Sequence, residues 1–271
     1  MRLLNRSAGR LSRHRRGPLT GLLLLVIGLG LTGGLYAAFS PAQAAKEDSQ
    51  SMKVEEGRKL FLVGCSFCHG QNGQGISTID GNQLGPSLVG VGAAAVDFQV
   101  GTGRMPMQAQ GPQAPQKPVQ FTDEQVKALA AYVASLGAGP AIPTESQLAG
   151  GDVEKGGELF RINCAMCHNV AAAGGALTEG KYAPALTSTS ALHMYAAMVT
   201  GPQNMPVFNN MTLTTEEKRD IISSLLYLQQ NESPGGFSLG SLGPVSEGLF
   251  IWIFGIGSLI GLTVWITAKS N

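Results

Sequence analysis

Two uncharged apolar runs bracket the chain, at residues 19–39 and 248–268, and between them apolar residues recur at helical spacing. The second run is 21 residues bounded by Glu247 and Lys269. At about 1.5 Å per residue it spans roughly 30 Å, the thickness of a bilayer's hydrocarbon core. Trp252 and Trp265 lie toward its two ends, where interfacial aromatics belong. Between the runs, Val126, Leu129, Ala130, Val133 and Leu136 follow Thr122-Asp123-Glu124, and Ile221, Ile222, Leu225 and Leu228 follow Thr214-Thr215-Glu216. Each series reads as an amphipathic helix opened by a hydroxyl cap with acids in its first turn. Leu60-Phe61 and Leu159-Phe160 mark two further helical segments. The pattern predicts an all-α chain.

The same pattern is duplicated. Val54, Glu55, Gly57, Leu60, Phe61, Cys65, Cys68 and His69 recur 99 residues later as Val153, Glu154, Gly156, Leu159, Phe160, Cys164, Cys167 and His168. A period near one hundred is that of a duplicated domain rather than a solenoid. The expected division is a segment 1–45, a first domain 50–137, a linker 138–151 rich in Gly, Ala and Pro, a second domain 152–231, a linker 232–247 and the apolar helix 248–268.

Charge changes the reading of the ends. Arg2, Arg6, Arg10, Arg13, Arg15 and Arg16 precede the first apolar run, and no acid does. An A-x-A pattern at Ala42 and Ala44 comes after it, so residues 1–45 describe a secretory signal, or an anchor if the segment stays uncleaved. Export places both domains outside, and Lys269-Ser270-Asn271 at the cytoplasmic end of the last helix. Without residues 1–45 the chain holds 13 basic against 18 acidic residues, a net −5, which excludes a nucleic-acid surface.

The four cysteines are all used in Cys65-Ser66-Phe67-Cys68-His69 and Cys164-Ala165-Met166-Cys167-His168. C-x-x-C-H is the spacing that attaches a c-type haem: two thiols form thioethers to the vinyl groups, and the following imidazole meets the iron. One such dithiol would also suit half a zinc site or a redox pair. Two copies, each followed by His, point to two covalently bound haems c. A covalent cofactor also supports domains under about a hundred residues, whose apolar cores are small.

Each motif is followed by a Gly-rich loop and a proline two positions before a leucine, Pro86 with Leu88 and Pro184 with Leu186. A carbonyl at that proline would hold the second nitrogen of the proximal imidazole. Met105-Pro106 lies 40 residues after Cys65, and Met205-Pro206 lies 41 after Cys164. Methionine as sixth ligand raises a haem's reduction potential. His69 with Met105, and His168 with Met205, are thus the expected axial pairs. Met107, Met194, Met198 and Met211 read as core filler, and His193 is the one histidine able to compete with Met205. The stretch from Met to cap threonine is 17 residues in the first domain and 9 in the second; the excess is a Gln/Pro/Gly-rich loop, 108–120, expected at the surface near the haem edge.

Two tandem cytochrome c domains between an export signal and a C-terminal membrane helix resemble, over essentially the whole chain, the dihaem cytochrome c subunit of the actinobacterial cytochrome bc (menaquinol–cytochrome c reductase) complex. The resemblance implies a subunit of a quinol–cytochrome c reductase in the cell membrane, with its haems on the extracytoplasmic side. It implies a cytochrome b subunit, a Rieske iron–sulfur protein as electron donor and a terminal cytochrome oxidase as acceptor. The rival reading is a dihaem subunit of a haem–copper oxidase or other membrane dehydrogenase. A peroxidase, which needs an open sixth position, and a free shuttle fit the matched Met-Pro pairs and the C-terminal helix less well.

Overall fold

The computed structural model describes residues 17–231, 239 and 244–268. The six N-terminal arginines, most of the 232–247 linker and the Lys269-Ser270-Asn271 tail lie outside the described residues. In chain order the helices are α1 (Pro18–Gly64), α2 (Ser66–His69), α3 (Gly92–Gly101), α4 (Asp123–Leu136), α5 (Val153–Asn163), α6 (Ala165–His168), α7 (Ala191–Thr200), α8 (Thr215–Gln230), α9 (Pro244–Phe250) and α10 (Gly257–Ala268). A π-wound turn, Ile251–Ile256, joins the last two. The described strands are two short antiparallel pairs, Ile76–Ser77 with Gln83–Gly85 and Gly175–Ala176 with Tyr182–Ala183. The fold is mostly helical, as the patterning predicts.

The chain forms two compact units, Met1–Lys53 and Val54–Asn271. In the first, Pro18–Ala38 is helical and apolar for 21 residues, and none of its side chains is buried. In the second, Val245–Ala268 has the same character over 24 residues, three more at its start than the uncharged run suggests. Both are long and apolar enough to cross a membrane.

The rest of the second unit is two equivalent halves. In the first, the C-terminal turns of α1 cross α4, and Phe61, Val126, Leu129 and Val133 bury themselves between them. Phe61 is 1% exposed and tilts against Tyr132 with ring centroids 5.1 Å apart. Burying one such ring contributes roughly 2–3 kcal/mol. In the second, α5 crosses α8 around Phe160, Ile221, Ile222 and Leu225. The crossings explain one repeated glycine pair: a Cβ on Gly57 would collide with the Ala128 carbonyl, and one on Gly156 with that of Asp220. The two helices approach too closely at that point for any side chain.

Thr122 and Thr214 cap α4 and α8 as expected, each through a capping box closed by Gln125 and Glu217. The apolar face of α8 fades toward its end, where Leu228 is exposed. Of the methionines expected as filler, Met194 and Met198 are buried, whereas Met107 and Met211 lie exposed at the surface. A flanking Gln/Pro loop and a turn at Asn209 leave those two nothing to pack against.

The halves meet through their equivalent helices. α3 packs on α7, with Ala94 and Ala196 fully buried and Phe98 beside them. Small residues there let the helices approach closely. The segment after α4 is held to both halves: Ala94 N–H donates to the Pro140 carbonyl (3.0 Å), and Gln147 Nε2 donates to the Tyr195 hydroxyl (2.9 Å).

Candidate cofactor sites

Each C-x-x-C-H motif sits where a long helix ends. Cys65 closes α1 through its N–H to the Phe61 carbonyl (2.8 Å), and a single further turn carries Cys68 and His69. Cys164 closes α5 in the same way on Phe160 (2.9 Å). The following loop then folds back: Gly75 N–H reaches the His69 carbonyl (2.7 Å), and Gly174 N–H that of His168 (2.8 Å). Gly75 and Gly174 have φ of +84° and +79°, and a Cβ on either would strike the backbone around Pro86 or Pro184. Glycine is required there.

That fold-back delivers the two prolines to the imidazoles. His69 Nδ1 lies 2.8 Å from the Pro86 carbonyl, and His168 Nδ1 lies 2.9 Å from that of Pro184. A carbonyl only accepts, so Nδ1 carries the proton and Nε2 is left as the basic nitrogen. Burial further holds His168 below its ordinary pKa, against the opposing pull of that hydrogen bond, and so favours the neutral ring a metal needs.

Two cavities of about 460 Å³ open beside the motifs, within the ordinary size of cofactor clefts, roughly 300–1,000 Å³. One is lined by Cys65, His69, Pro86 and Met105 over an apolar wall that includes Phe61 and Leu129. The other is lined by Cys164, Cys167, His168, Pro184 and Met205, with Phe160, Met194 and Met198 behind. Structure thus brings His69 together with Met105, and His168 together with Met205. Cys68 stands in the turn beside the first cavity. Of the two Leu-Phe pairs, only Phe61 and Phe160 reach the cavities; Leu60 and Leu159 pack into the flanking cores.

The donor set fits haem c better than its competitors. Burial, reinforced by the neighbouring cysteine, pushes the Cys65 and Cys164 thiols up to about 11. Redox dithiols and thiolate–zinc sites need the opposite shift. Among the described residues no three His, Cys, Asp or Glu side chains cluster as a metal site. The four cysteines are free, and each cavity pairs an oriented imidazole with a thioether in apolar surroundings. His193 also borders the second cavity, but its Nε2 faces Asp97 Oδ2 at 3.8 Å across the α3–α7 contact.

Three features escape the sequence pattern. First, each half closes the other's cavity. Val199 to Gln203, at the end of α7 and beyond, line the first cavity, while Phe98, Thr102 and Arg104 of the first half line the second. Pro202 and Gln203 border both. Second, the 108–120 loop lies at the surface near a cavity edge as expected, but the cavity is that of the other half. Gln113 donates to the Tyr182 carbonyl (2.9 Å) and accepts from its N–H (2.8 Å), and Ala114 N–H donates to Gln203 Oε1 (3.2 Å). Third, the Lys117 ammonium gathers the carbonyls around Met105, donating to Gly103 (2.6 Å), Pro106 (2.7 Å) and, at longer range, Arg104 (3.4 Å).

The chain is similar to known proteins along nearly its whole length. The family model described as "Cytochrome c" matches residues 54–137, and that described as "Cytochrome C oxidase, cbb3-type, subunit III" matches 151–223. Two cytochrome c domains imply binding of c-type haem. Proteins named "Cytochrome bc1 complex cytochrome c subunit" resemble the chain almost end to end. That of Mycobacterium tuberculosis is 45% identical, covering 97% of this chain and 95% of its own length. That of Corynebacterium efficiens is 45% identical over 95% and 92%, and that of Mycobacterium leprae 43% identical over 92% and 87%. With two cytochrome c domains, two apolar helices and this similarity along nearly its whole length, the chain belongs to the family of cytochrome bc1 complex cytochrome c subunits, which carry electrons by means of c-type haem.

Proposed function

We propose that the chain binds two haems c covalently, one at Cys65 and Cys68 and one at Cys164 and Cys167, with His69 and Met105 as axial ligands of the first iron and His168 and Met205 of the second. The observation that carries this reading is that each cavity is bordered by its own motif histidine and by the methionine of its own Met-Pro dipeptide. A haem held there supplies one-electron exchange at its iron. The chain's own residues orient each imidazole through Pro86 or Pro184, exclude water with Phe61 or Phe160, and bring up a neutral sulfur ligand. The haem-binding domains are 50–137 and 152–231, separated by the linker 138–151.

In the complex, this chain takes electrons from the Rieske iron–sulfur protein and delivers them to the terminal cytochrome oxidase. It replaces both cytochrome c1 and a soluble carrier. The helix at 248–268 packs beside the cytochrome b subunit, residues 1–45 serve as export signal or second anchor, and the haem domains face the extracytoplasmic side of the cell membrane. Holding both haems on one short linker makes the second transfer intramolecular and independent of carrier concentration. A second reading, a haem–copper oxidase subunit, draws on the family model matched by residues 151–223. That match spans only the second domain, whereas the bc1 relatives span both.

Affinity purification through a tag on this chain separates the two. The expected material contains b-type haem, Rieske protein and a-type haem, and it oxidises quinol with oxygen when no soluble cytochrome c is added. Reduction of added cytochrome c without oxygen uptake would remove the direct route to the oxidase and keep the reductase. Absence of b-type haem and Rieske protein would favour the oxidase-subunit reading.

A further inference from the structure

The second cavity contains a cation that no protein anion explains. Arg104 is 7% exposed and borders that cavity, with its guanidinium carbon 4.9 Å from the centroid of the Phe98 ring. Among the described residues no carboxylate lies within 4.0 Å of it, and no Asp or Glu lines the cavity. A guanidinium taken out of water without an anion is costly, so the site is built for an anion that arrives with a ligand. The first cavity is different: no Asp, Glu, Lys or Arg lines it.

The chemistry of the proposed cofactor supplies the missing charge, because haem carries two carboxylates. We propose that Arg104, from the first domain, is the counter-ion of a carboxylate of the haem bound in the second domain and holds that haem's potential above that of the first. This rests on the dihaem reading. Arg104 immediately precedes Met105, so one segment would serve both haems, the first through its sulfur and the second through its guanidinium. At the matching place before Met205 the repeat has Asn204, which carries no charge. Gln113, whose side chain is bonded to the Tyr182 backbone, borders the same cavity as Arg104. A cation beside the haem favours the reduced state, whose iron carries less positive charge, and fixes a downhill direction from the first haem to the second.

Arg104→Gln and Arg104→Lys in the full-length holoprotein test this by redox titration resolved into two components. The component displaced by Met205→His marks the second haem, and that displaced by Met105→His marks the first. Wild type should show the second haem at the higher potential. Arg104→Gln should lower it by about tenfold in its reduced-to-oxidised ratio, about 59 mV for a one-electron couple. Arg104→Lys, which keeps the charge, should stay near wild type, and the first haem should move little in both. An unmoved second component, or a shift confined to the first haem with loss of its sulfur-to-iron absorption band, overturns the proposal. The second result would make Arg104 a support for the Met105 segment only. Haem counting separates the premise: one haem per chain in wild type means that the dihaem reading has failed.

Discussion

Lys117→Met should loosen the hold on Met105 while leaving Met205 untouched. The substitution keeps most of the apolar stem and removes the ammonium that donates to the Gly103 and Pro106 carbonyls at 2.6 and 2.7 Å. Each hydrogen bond from a charged donor contributes about 1.5–3 kcal/mol, and Lys117 is only half-buried, so the lower end applies. Together the two bonds contribute about 3 kcal/mol; the 3.4 Å contact to Arg104 is too long to add much. A loss of that size makes the open loop about a hundredfold more populated. Loss of the iron–sulfur bond at alkaline pH is a competition between loop opening and deprotonation of a replacement ligand. Its midpoint for the first haem should therefore fall by about two pH units, one for each tenfold gain in opening. The sulfur-to-iron absorption band followed against pH gives that midpoint, and the second haem in the same sample serves as the internal standard. A midpoint that stays in place for the first haem, with its band intact, would refute the role given to Lys117.

Three further outcomes are expected. Gly156→Ala forces a Cβ onto the Asp220 carbonyl where α5 crosses α8, and overpacking of this kind costs at least about 1–3 kcal/mol. A thermal melt should register it, whereas Gly21→Ala, with nothing within 4 Å, should leave the melt unchanged. Burial holds His193 below its ordinary value near 6.5, so the unfolded chain binds more protons in the window between the two values. Stability should then fall as pH drops through that window, and denaturant titrations of His193→Gln should lack this part of the slope. Asp97 contributes with the opposite sign: burial raises its carboxyl above the ordinary value, which subtracts stability as pH rises through its own window. A chain ending at Asn231 keeps both haem-binding halves and loses the Val245–Ala268 helix. It should appear haem-loaded in the soluble extracytoplasmic fraction, and tight retention on washed membranes would show residues 1–45 to be an uncleaved anchor.

What is legible in the sequence is what a single segment decides. The caps at Thr122 and Thr214 and the prolines behind His69 and His168 each depend on a few residues within one domain, and the repeat prints them twice. The repeat also marks Gly57 and Gly156, but not that a second helix crosses each of them. What is illegible depends on the pairing of the halves. Nothing local reveals that α3 and α7 bury Ala94 and Ala196 against each other. The Gln/Pro loop reads as surface, correctly, yet nothing local reveals that Gln113 bonds the backbone of Tyr182, 69 residues away. Residue type alone assigns Met107 and Met211 to cores, and burial is a property of the neighbours, not of the side chain.

Equivalent helices packed on each other, with each half closing the other's cavity, also limit how this protein can evolve. Tandem domains joined only by a tether can be exchanged, reordered or inherited one at a time. Here Val199 to Gln203, and Phe98, Thr102 and Arg104, line the neighbour's site, so recombination that imported one half from a distant relative would break two cavities at once. The halves repeat one pattern yet complement each other: an arginine stands before one methionine and an asparagine before the other, and the long loop exists on one side only. The shared wall at Pro202 and Gln203 ties the two sites together, so neither can change alone.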